Sequence, residues 1–520
     1  MAGTRLPAFA NEPFADFTDS DVRSSFAEQV KHAAEAPFFE APVVIGGERL
    51  ATKGTIDSVD PSLGQSRVVC RSARSGRAEV DRAVEVALGP AQRAWAAASP
   101  RDRVEVLLRA ADIMRRRRFE LAGLEVIEAG KPWTQADADL CEAIDFCEYY
   151  AREALRLAEG QTLLQAEGER NTYGYQPRGI VAAIAPWNFP LAIPCGMVTA
   201  PLVCGNAVMF KPAEQTPGVA CRLFEILEEA GVPSGVLAYL PGYGEEAGAA
   251  LVTHPEVSVI AFTGSKDVGL SIVERAAHVA PGQRHVKRVV AEMGGKNAII
   301  VDDDADLDLA VPAIIDSAFG YAGQKCSAAS RLLADRRVFD ELIDRLVDAT
   351  KQVPVGNPQD PQTVVGPLID EDAFKRLSAY QSIARDEGEV VLQRSDVPAT
   401  GWFVGPTIVV CEDPGARVAT DEIFGPFIAC LRTEDFEHAM QIANSTDYAL
   451  TGGVFSRNAD NIRQASEHMR AGNVYVNRKI TGALVGRQPF GGYGLSGIGS
   501  KAGGPDYLLQ FCEPRVVTEN

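Results

Sequence analysis

The sequence has no uninterrupted apolar run of about 18 residues, so it predicts no transmembrane helix. Its N-terminus lacks the basic and then apolar segment of a secretory signal, and it lacks the Arg-rich, acid-poor pattern of a mitochondrial one. Basic residues are outnumbered, with 51 Lys and Arg against 70 Asp and Glu, and the net charge is −19. Such an acidic surface repels phosphate backbones. We therefore expect neither a membrane nor a nucleic-acid partner.

Metal-ligand and disulfide patterns are also missing. None of the ten cysteines forms a Cys-x-x-Cys pair, and the six histidines are scattered without ligand spacing. Several cysteines lie inside apolar runs, as Cys204 does in PLVCGNAVMF. We therefore predict no metal site, buried free thiols and a reducing compartment, the cytoplasm.

The usual nucleotide-binding motifs are absent or misplaced. There is no G-x-x-x-x-G-K-[ST] sequence, which excludes a P-loop. GYGLSG at 492–497 matches G-x-G-x-x-G, but only 23 residues follow it and no apolar strand precedes it. Because that fingerprint requires a strand–turn–helix unit, any dinucleotide must bind here without it.

What is present is the composition and pattern of a large α/β protein. The chain has 520 residues, 46% of them hydrophobic and 23% charged, as expected for two to four globular domains. Short apolar runs that stop at Pro or Gly alternate with helical patterns from residue 179 onward. We predict two α/β domains of similar size joined near 292–297, with parallel strands and a nucleotide site at their carboxyl ends. The predicted strands are 180–185, 207–210, 236–240, 257–262 and 286–290 in the first series and 298–301, 331–335, 388–393, 406–410 and 428–432 in the second.

Two residues stand out as candidates for covalent chemistry. Cys326, in FGYAGQKCSAASR, lies on a polar turn beside Lys325, whose charge is expected to lower the pKa of the thiol. Most cysteines are simply small buried hydrophobes, but few lie in such a turn. Glu292 ends a predicted strand and precedes Met293-Gly294-Gly295. Taken alone, Glu292 fits a solvated strand end as well as it fits an active-site base.

Further polar side chains follow the other predicted strands. Asn188 lies in PWNFP, where its amide could donate to an oxyanion. Lys211 and Glu214 lie in FKPAEQTP, where a ribose could bind. A thiol and a carboxylate without a nearby His argue against papain-like hydrolysis. They fit a thiolate that adds to an aldehyde, followed by base-assisted attack of water.

These segments resemble the NAD(P)-dependent aldehyde dehydrogenases, from about residue 45 to the C-terminus. Glu292 and Cys326 are 34 residues apart, a spacing typical of the family. The segments KCSAASR and 481–511 are similar to members that oxidise glutamate γ-semialdehyde. The motifs that carry the resemblance are PWNFP, FKPAEQTP, FTGSKDVG, AEMGGKN, GQKCSA and EIFGPF.

The resemblance implies an aldehyde dehydrogenase-like fold with a Rossmann-like cofactor domain, an α/β catalytic domain and a small oligomerisation arm. By that pattern residues 1–159 and 179–292 form the NAD-binding domain, and residues 293–504 form the catalytic domain. Residues 160–178 and 505–520 form the arm of a homodimer or larger homo-oligomer.

The resemblance also implies the activity. Cys326 attacks the aldehyde, Asn188 and the backbone N–H of Cys326 hold the oxyanion, and Glu292 activates water to hydrolyse the thioester. The implied reaction is oxidation of L-glutamate γ-semialdehyde, from pyrroline-5-carboxylate, to L-glutamate in proline degradation. Two alternatives stay open: another semialdehyde dehydrogenase, such as one for succinate semialdehyde, and a non-catalytic protein on the same fold. Retention of all three site residues argues against the second.

The remaining site residues are carried over from the family. Glu214 accepts from ribose hydroxyls and repels a 2′-phosphate, so NAD is expected rather than NADP. Glu142 is expected to face the substrate pocket rather than solvent. Tyr321-Ala322 varies among relatives, and the sequence offers no account of it. The implied cofactor residues are Lys211, Glu214, Ser265, Gly264, Trp187, Glu422 and Phe424. The implied substrate residues are Ser327, Gly482, Ala483, Phe189, Phe490 and Glu142.

Overall fold

The computed structural model describes residues 6–520 and contains mixed helices and strands throughout. The helices are α1 (Ser20–Glu35), α2 (Arg77–Ala87), α3 (Pro90–Ala97), α4 (Pro100–Arg116), α5 (Arg118–Glu128), α6 (Trp133–Ala158), α7 (Ala192–Val203), α8 (Pro217–Glu229), α9 (Ala249–Thr253), α10 (Lys266–Ala277), α11 (Leu307–Phe319), α12 (Phe339–Lys351), α13 (Glu371–Glu387), α14 (Arg417–Thr420), α15 (Phe436–Ala443) and α16 (Ala459–His468). The strands are β1 (Phe39–Ala41), β2 (Val43–Ile45), β3 (Glu48–Leu50), β4 (Thr55–Val59), β5 (Val68–Ala73), β6 (Arg170–Pro177), β7 (Ile180–Ile184), β8 (Ala207–Lys211), β9 (Leu237–Tyr239), β10 (Val257–Thr263), β11 (Arg288–Glu292), β12 (Asn297–Val301), β13 (Ala329–Asp335), β14 (Glu389–Gln393), β15 (Thr407–Val410), β16 (Phe427–Thr433), β17 (Thr451–Phe455), β18 (Asn473–Val476), β19 (Gly497–Ile498) and β20 (Cys512–Glu519).

The first large sheet has eight strands in the order β19-β11-β10-β7-β8-β9-β2-β3. Its central strands β7 to β11 pair in parallel, which confirms the prediction from their continuous apolar runs. Such strands are buried on both faces, and β7 and β8 contain only buried residues. Two apolar cores cover the two faces of this sheet.

The second large sheet has seven strands in the order β14-β15-β16-β13-β12-β17-β18 and a core of its own. Six strands pair in parallel, and the edge strand β14 runs antiparallel to β15. No helix lies between β14 and β15, so the chain makes no crossover there. The chain passes from the first sheet to the second between β11 and β12, where the sequence predicts the join. The exact domain boundaries stay a prediction, since β19 lies within 293–504 yet pairs with β11.

The pairing register of the parallel strands places the polar residues at their ends along one edge of the first sheet. Ile184 pairs with Lys211 across β7 and β8, and Thr263 pairs with Glu292 across β10 and β11. The PWNFP loop leaves β7 at the same edge. Because all these strands run in one direction, the loops that follow them converge, as the sequence argument requires.

A two-stranded sheet of β6 and β20 lies outside both large sheets. These strands pair antiparallel over eight residues each, from Arg170 opposite Glu519 to Pro177 opposite Cys512. They fall within the two segments predicted to form an arm. No helix within residues 6–520 is long and apolar enough to cross a membrane.

Candidate active site

Cys326 lies on the connection between α11 and β13. Of the ten cysteines it is the one that is partly exposed, and the other nine are buried. The side-chain amide of Asn297, at the start of β12, donates to the carbonyls of Cys326 and Ala328 over 2.7 and 2.8 Å. The backbone N–H of Ser327 donates to the thiol sulfur. The nucleophile loop is therefore fixed to the second sheet while its thiol stays accessible.

The low pKa expected for the Cys326 thiol beside Lys325 is wrong, because burial outweighs the lysine. Burial raises this pKa to about 12, and Glu292 and Glu422 add to the effect. Lys325 is itself buried, which lowers the pKa of its amine to about 8. Since only a thiolate is a good nucleophile, Cys326 needs a proton acceptor in the site.

Glu292 is such an acceptor. Burial raises the pKa of its carboxyl to about 8, although a hydrogen bond from Gly492 and the charge of Lys501 act against that rise. The Gly492 N–H donates to the Glu292 carboxylate over 3.1 Å. A Cβ on Gly491 would lie 2.7 Å from the other carboxylate oxygen, so this loop needs glycine there. A carboxylate with a pKa near the working pH is suited to general base catalysis.

The Lys501 side chain fastens the loop that contacts Glu292. Its ammonium donates to the carbonyl of Gly472 over 2.8 Å and also to the carbonyl of Gly491. Sequence reasoning missed this residue, because nothing in SKAGG separates it from a surface lysine.

Two donors are available for an oxyanion beside Cys326. The Asn188 side-chain amide is buried and donates to the carbonyl of Gln324 over 3.0 Å. An amide nitrogen carries two hydrogens, so one remains free. Within residues 6–520 the backbone N–H of Cys326 donates to no protein acceptor. A side-chain amide and a backbone N–H are the types of donor that stabilise an oxyanion.

The Tyr321-Ala322 pair, which the sequence left unexplained, forms a strained turn behind the nucleophile. Both residues are buried and left-handed, with φ of 56° and 53°. The Tyr321 hydroxyl donates to the carbonyl of Ala129 over 3.0 Å. Such backbone costs about 1–3 kcal/mol per residue and persists only where the surroundings enforce it. The tyrosine therefore ties the nucleophile loop to the segment between α5 and α6.

A buried lysine supports the same turn. Lys131 is fully buried, with its ammonium 2.7 Å from Asp139 and 3.3 Å from Glu125. It lies 4.3 Å from the centre of the Phe189 ring and 5.4 Å from that of Tyr321. Cation–π contacts of this kind strengthen when they are desolvated. Sequence reasoning missed this cluster, whose one signal is the position of Asp139 directly before the buried Leu140 on α6.

A cleft brings Cys326 and Glu292 together with all six predicted substrate residues. Asn188, whose amide donates to the carbonyl of Gln324 just before the nucleophile, is not among the residues that line the cleft. Sequence reasoning missed several lining residues, among them Phe146, Met197, Gln488 and Tyr507. No Lys, Arg or His is found among the residues, all within 6–520, that line the cleft. The predicted residues in its wall are Glu142, Phe189, Glu292, Cys326, Ser327, Gly482, Ala483 and Phe490.

One end of the cleft offers neutral hydrogen-bond donors. Ser327 is buried next to the nucleophile, and Gly482 has a φ of +75° that favours glycine. The backbone N–H groups of Gly482 and Ala483 donate to no acceptor in the described part of the chain. Glu142 faces the cleft, as expected, and burial with the nearby Asp139 raises the pKa of its carboxyl to about 8.

The predicted cofactor residues form two groups, and none of them lines the substrate cleft. Beyond β8, the Lys211 ammonium contacts the Glu214 carboxylate at 2.9 Å. Ser265 caps α10 by accepting from the Val268 N–H. The first two N–H groups of α10 have no acceptor among residues 6–520, which suits a phosphate.

The second cofactor group joins the two sheets. The Gly295 N–H donates to the Glu422 carboxylate over 3.0 Å. The rings of Trp187 and Phe424 meet edge to face with centroids 5.7 Å apart. Phe424 has a φ of 56°, an unusual conformation for a residue other than glycine. Gly264 donates to the Glu292 carbonyl over 3.1 Å, which links the cofactor loop to the catalytic strand. A nucleotide with both a pyrophosphate and a second ribose fits this set of donors and acceptors.

Many known proteins are similar to this chain in sequence. One relative, 1-pyrroline-5-carboxylate dehydrogenase of Anoxybacillus flavithermus, is 47% identical over 511 residues, which cover 98% of this chain and 99% of the relative. Another, 1-pyrroline-5-carboxylate dehydrogenase 2 of Halalkalibacterium halodurans, is 45% identical over 514 residues and 99% of both chains.

Solved structures agree with the fold. A crystal structure of 1-pyrroline-5-carboxylate dehydrogenase from Thermus with bound NAD is 44% identical, covers 99% of each chain and superposes with a TM-score of 0.96. Proline utilization A from Bdellovibrio bacteriovorus is 46% identical with a TM-score of 0.97. That match covers 99% of this chain and 54% of the Bdellovibrio chain.

The family model described as "Aldehyde dehydrogenase family" matches residues 49–517. That match spans the second large sheet, the parallel strands of the first, the nucleophile loop and most of the β6–β20 pair. The chain therefore belongs to the aldehyde dehydrogenase family.

Proposed function

We propose that the chain catalyses the NAD-dependent oxidation of L-glutamate γ-semialdehyde, the open form of pyrroline-5-carboxylate, to L-glutamate. One observation carries the choice of substrate. The cleft beside Cys326 contains neutral donors, Ser327 and the free N–H groups of Gly482 and Ala483, but no cationic side chain. These donors suit the carboxylate of an amino acid whose own ammonium balances its charge. Succinate semialdehyde has no ammonium and would favour a basic residue there.

The reaction begins at Cys326. Glu292 accepts the thiol proton directly or through water, and the thiolate then adds to the aldehyde carbon. The oxyanion that forms receives hydrogen bonds from Asn188 and from the backbone N–H of Cys326. Bound NAD supplies the oxidant and accepts a hydride from this carbon, which leaves a thioester on Cys326.

Hydrolysis of the thioester completes the cycle. Glu292 first releases the thiol proton to solvent. It then removes a proton from water, the hydroxide adds to the acyl carbon, and the thiolate leaves. The same two donors stabilise the second oxyanion. Phe189 and Phe490, on the cleft wall, would enclose the aliphatic chain of the substrate. Glu142 would accept from its ammonium.

NAD rather than NADP fits the first cofactor group. Glu214, paired with Lys211, offers a carboxylate to the ribose hydroxyls and would repel a 2′-phosphate. In the second group Glu422 would bind the nicotinamide ribose, and Phe424 with Trp187 would position the ring. Ser265 and Gly264 would lie at the pyrophosphate.

The β6–β20 pair supports a proposed oligomerisation arm, in a homodimer or larger homo-oligomer. Val516 and Val517 on β20 are 56% and 39% exposed, and Leu164 nearby is 96% exposed. Apolar side chains on such a hairpin favour a partner surface. The ten free cysteines, including Cys147 and Cys195 with sulfurs 3.6 Å apart and unbonded, support a reducing location such as the cytoplasm.

A single substrate comparison tests the proposed function. NADH formation is measured with pyrroline-5-carboxylate, succinate semialdehyde and hexanal under the same conditions. We expect kcat/KM to be at least about 10²-fold higher for pyrroline-5-carboxylate, because each unpaired buried donor costs about 1–3 kcal/mol. Equal efficiency with all three would indicate a general aldehyde dehydrogenase. Preference for succinate semialdehyde would indicate a succinate semialdehyde dehydrogenase. No turnover of any of the three substrates would indicate a non-catalytic protein.

A further inference from the structure

Residues 6–19, here called the N-terminal strap, lie along one face of α6. The α6 residues that contact the strap recur every three or four positions, which places them on a single stripe of the helix. Glu142 and Phe146, on another face of α6, line the substrate cleft. The same helix therefore carries the strap and part of the pocket wall. The strap contacts are made by Asp137, Cys141, Asp145, Tyr149 and Arg152.

Asn11 connects this helix to the loop that closes the pocket. Its side-chain amide donates to the Asp145 carboxylate over 2.8 Å and to the carbonyl of Val485 over 2.9 Å. The other carboxylate oxygen of Asp145 accepts from the Glu12 N–H over 2.7 Å. Both hydrogens of the Asn11 amide are thus used, one on α6 and one on the loop. Asp145 is 2% exposed, so water cannot easily replace Asn11 as its partner.

The loop that Asn11 holds is the one that offers donors to the substrate. Residues 482–485 all line the cleft. Beyond them, Gly486 has a φ of +74°, and a Cβ there would lie 3.0 Å from the Phe9 ring and 3.1 Å from the Tyr149 ring. The Phe9 and Tyr149 rings themselves meet edge to face at 5.2 Å. The strap and α6 therefore hold the loop at two consecutive residues. Val485 is held by a hydrogen bond and Gly486 by close packing.

We propose that the N-terminal strap is a specificity element, and that Asn11 is a positioning residue for the substrate carboxylate. Asn11 does not itself line the cleft and reaches it through its hydrogen bond to Val485. It therefore acts by setting where the Gly482 and Ala483 N–H groups lie relative to Cys326. Loss of the Asn11 hydrogen bonds lets the loop of residues 482–485 shift, which weakens binding of an amino-acid aldehyde. A plain aliphatic aldehyde makes no use of these donors and is unaffected. The inference rests on the proposed function and names an element of that site.

Kinetics of Asn11 variants with two substrates test the idea. Asn11→Ala is expected to raise KM for glutamate γ-semialdehyde about three- to tenfold while kcat changes less than about twofold. Asn11→Asp, which sets a carboxylate against Asp145, is expected to have a larger effect. For hexanal, kcat/KM stays within about twofold of the unmodified enzyme. L-glutamate, used as a product inhibitor, should show the same loss of affinity as the substrate.

Thr18→Ala is the matched control. Thr18 lies on the same strap and is exposed, and its hydroxyl donates to the neighbouring Asp16. It should leave KM for both substrates unchanged. Thermal unfolding of each variant separates a local effect from loss of the fold, since a partly unfolded enzyme loses kcat with both aldehydes.

The outcomes are distinct. An unchanged KM for glutamate γ-semialdehyde in both Asn11 variants would overturn the inference, as would an equal rise of KM for hexanal. Failure of the unmodified enzyme to prefer glutamate γ-semialdehyde would instead refute the proposed function.

Discussion

Replacement of Glu292 by Gln tests the assignment of the general base most directly. The amide has the same size and can still accept the hydrogen bond from Gly492, so the loop beside it should stay in place. An amide cannot take up a proton at neutral pH. The variant therefore removes the base while it preserves the shape of the cleft.

The magnitude follows from the environment of the carboxyl. Burial raises the pKa of Glu292 to about 8. About one-tenth of the carboxyl is then ionised at pH 7 and about nine-tenths at pH 9. In the unmodified enzyme, a rate limited by thioester hydrolysis should rise almost tenfold over this interval and level off above it. General bases typically contribute about 10²–10⁴ in rate, so Glu292→Gln should lower steady-state turnover by that factor and abolish the pH dependence.

Rapid-mixing measurement of NADH separates the two halves of the reaction. Because Glu292 accepts the thiol proton as well as a proton from water, the variant should also slow the first turnover and show no burst of NADH. Glu35→Gln is the control, since Glu35 is an exposed partner of Lys31. A burst of about one equivalent of NADH per site, followed by slow turnover, would refute its role in thiol deprotonation and leave Glu292 as the base for hydrolysis alone. A burst with an unchanged pH profile would show that another group is the base.

Three further variants test the rest of the site. Cys326→Ala should leave less than about 1% of aldehyde oxidation while NAD binding, measured by calorimetry, stays within a few-fold; greater residual activity would mean another nucleophile. Ser327→Ala should raise KM for glutamate γ-semialdehyde about fivefold or more, by loss of one buried donor, and leave hexanal oxidation unchanged; parallel changes with both aldehydes would contradict a role in substrate recognition. Lys501→Met removes the ammonium that lowers the pKa of Glu292, so the rise of kcat with pH should move to higher pH and activity at pH 7 should fall severalfold. Lys501→Arg should have the pH profile of kcat of the unmodified enzyme. An unchanged pH profile in Lys501→Met would show that Lys501 only holds the loop that contacts Glu292.

Local sequence predicts the central strands of the first sheet because their burial is almost complete, although it misses β17, which is equally buried. Runs such as IVAAI and AVMF have no polar residue to expose, so they form the centre of a parallel sheet wherever the chain folds. The polar residues that follow them, Asn188, Lys211 and Glu292, must then share the carboxyl edge. The motif around Cys326 likewise identifies the nucleophile, because a cysteine on a polar turn is unlike the other nine.

Tertiary structure alone decides the electrostatics of those residues. A neighbouring lysine in the sequence suggested a low thiol pKa, yet Lys325 is buried, and desolvation together with Glu292 raises the pKa of Cys326 instead. Desolvation depends on every chain segment that packs around the group, which no local window contains. The high pKa of Glu292 has the same origin, and it makes the two groups partners in proton transfer.

Contacts between distant segments are the other feature that the sequence could not supply. Asn11 meets Val485 across 474 residues, and Tyr321 meets Ala129 across 192. Neither pair follows a periodic pattern, and the left-handed Tyr321-Ala322 turn goes against local preference. The sequence by itself determined the central strands of the first sheet and the chemical groups at their ends, because apolar runs and residue chemistry are local properties. Only the tertiary structure decided the ionisation of those groups and the position of the donor loop, because both depend on parts of the chain that are far apart in sequence.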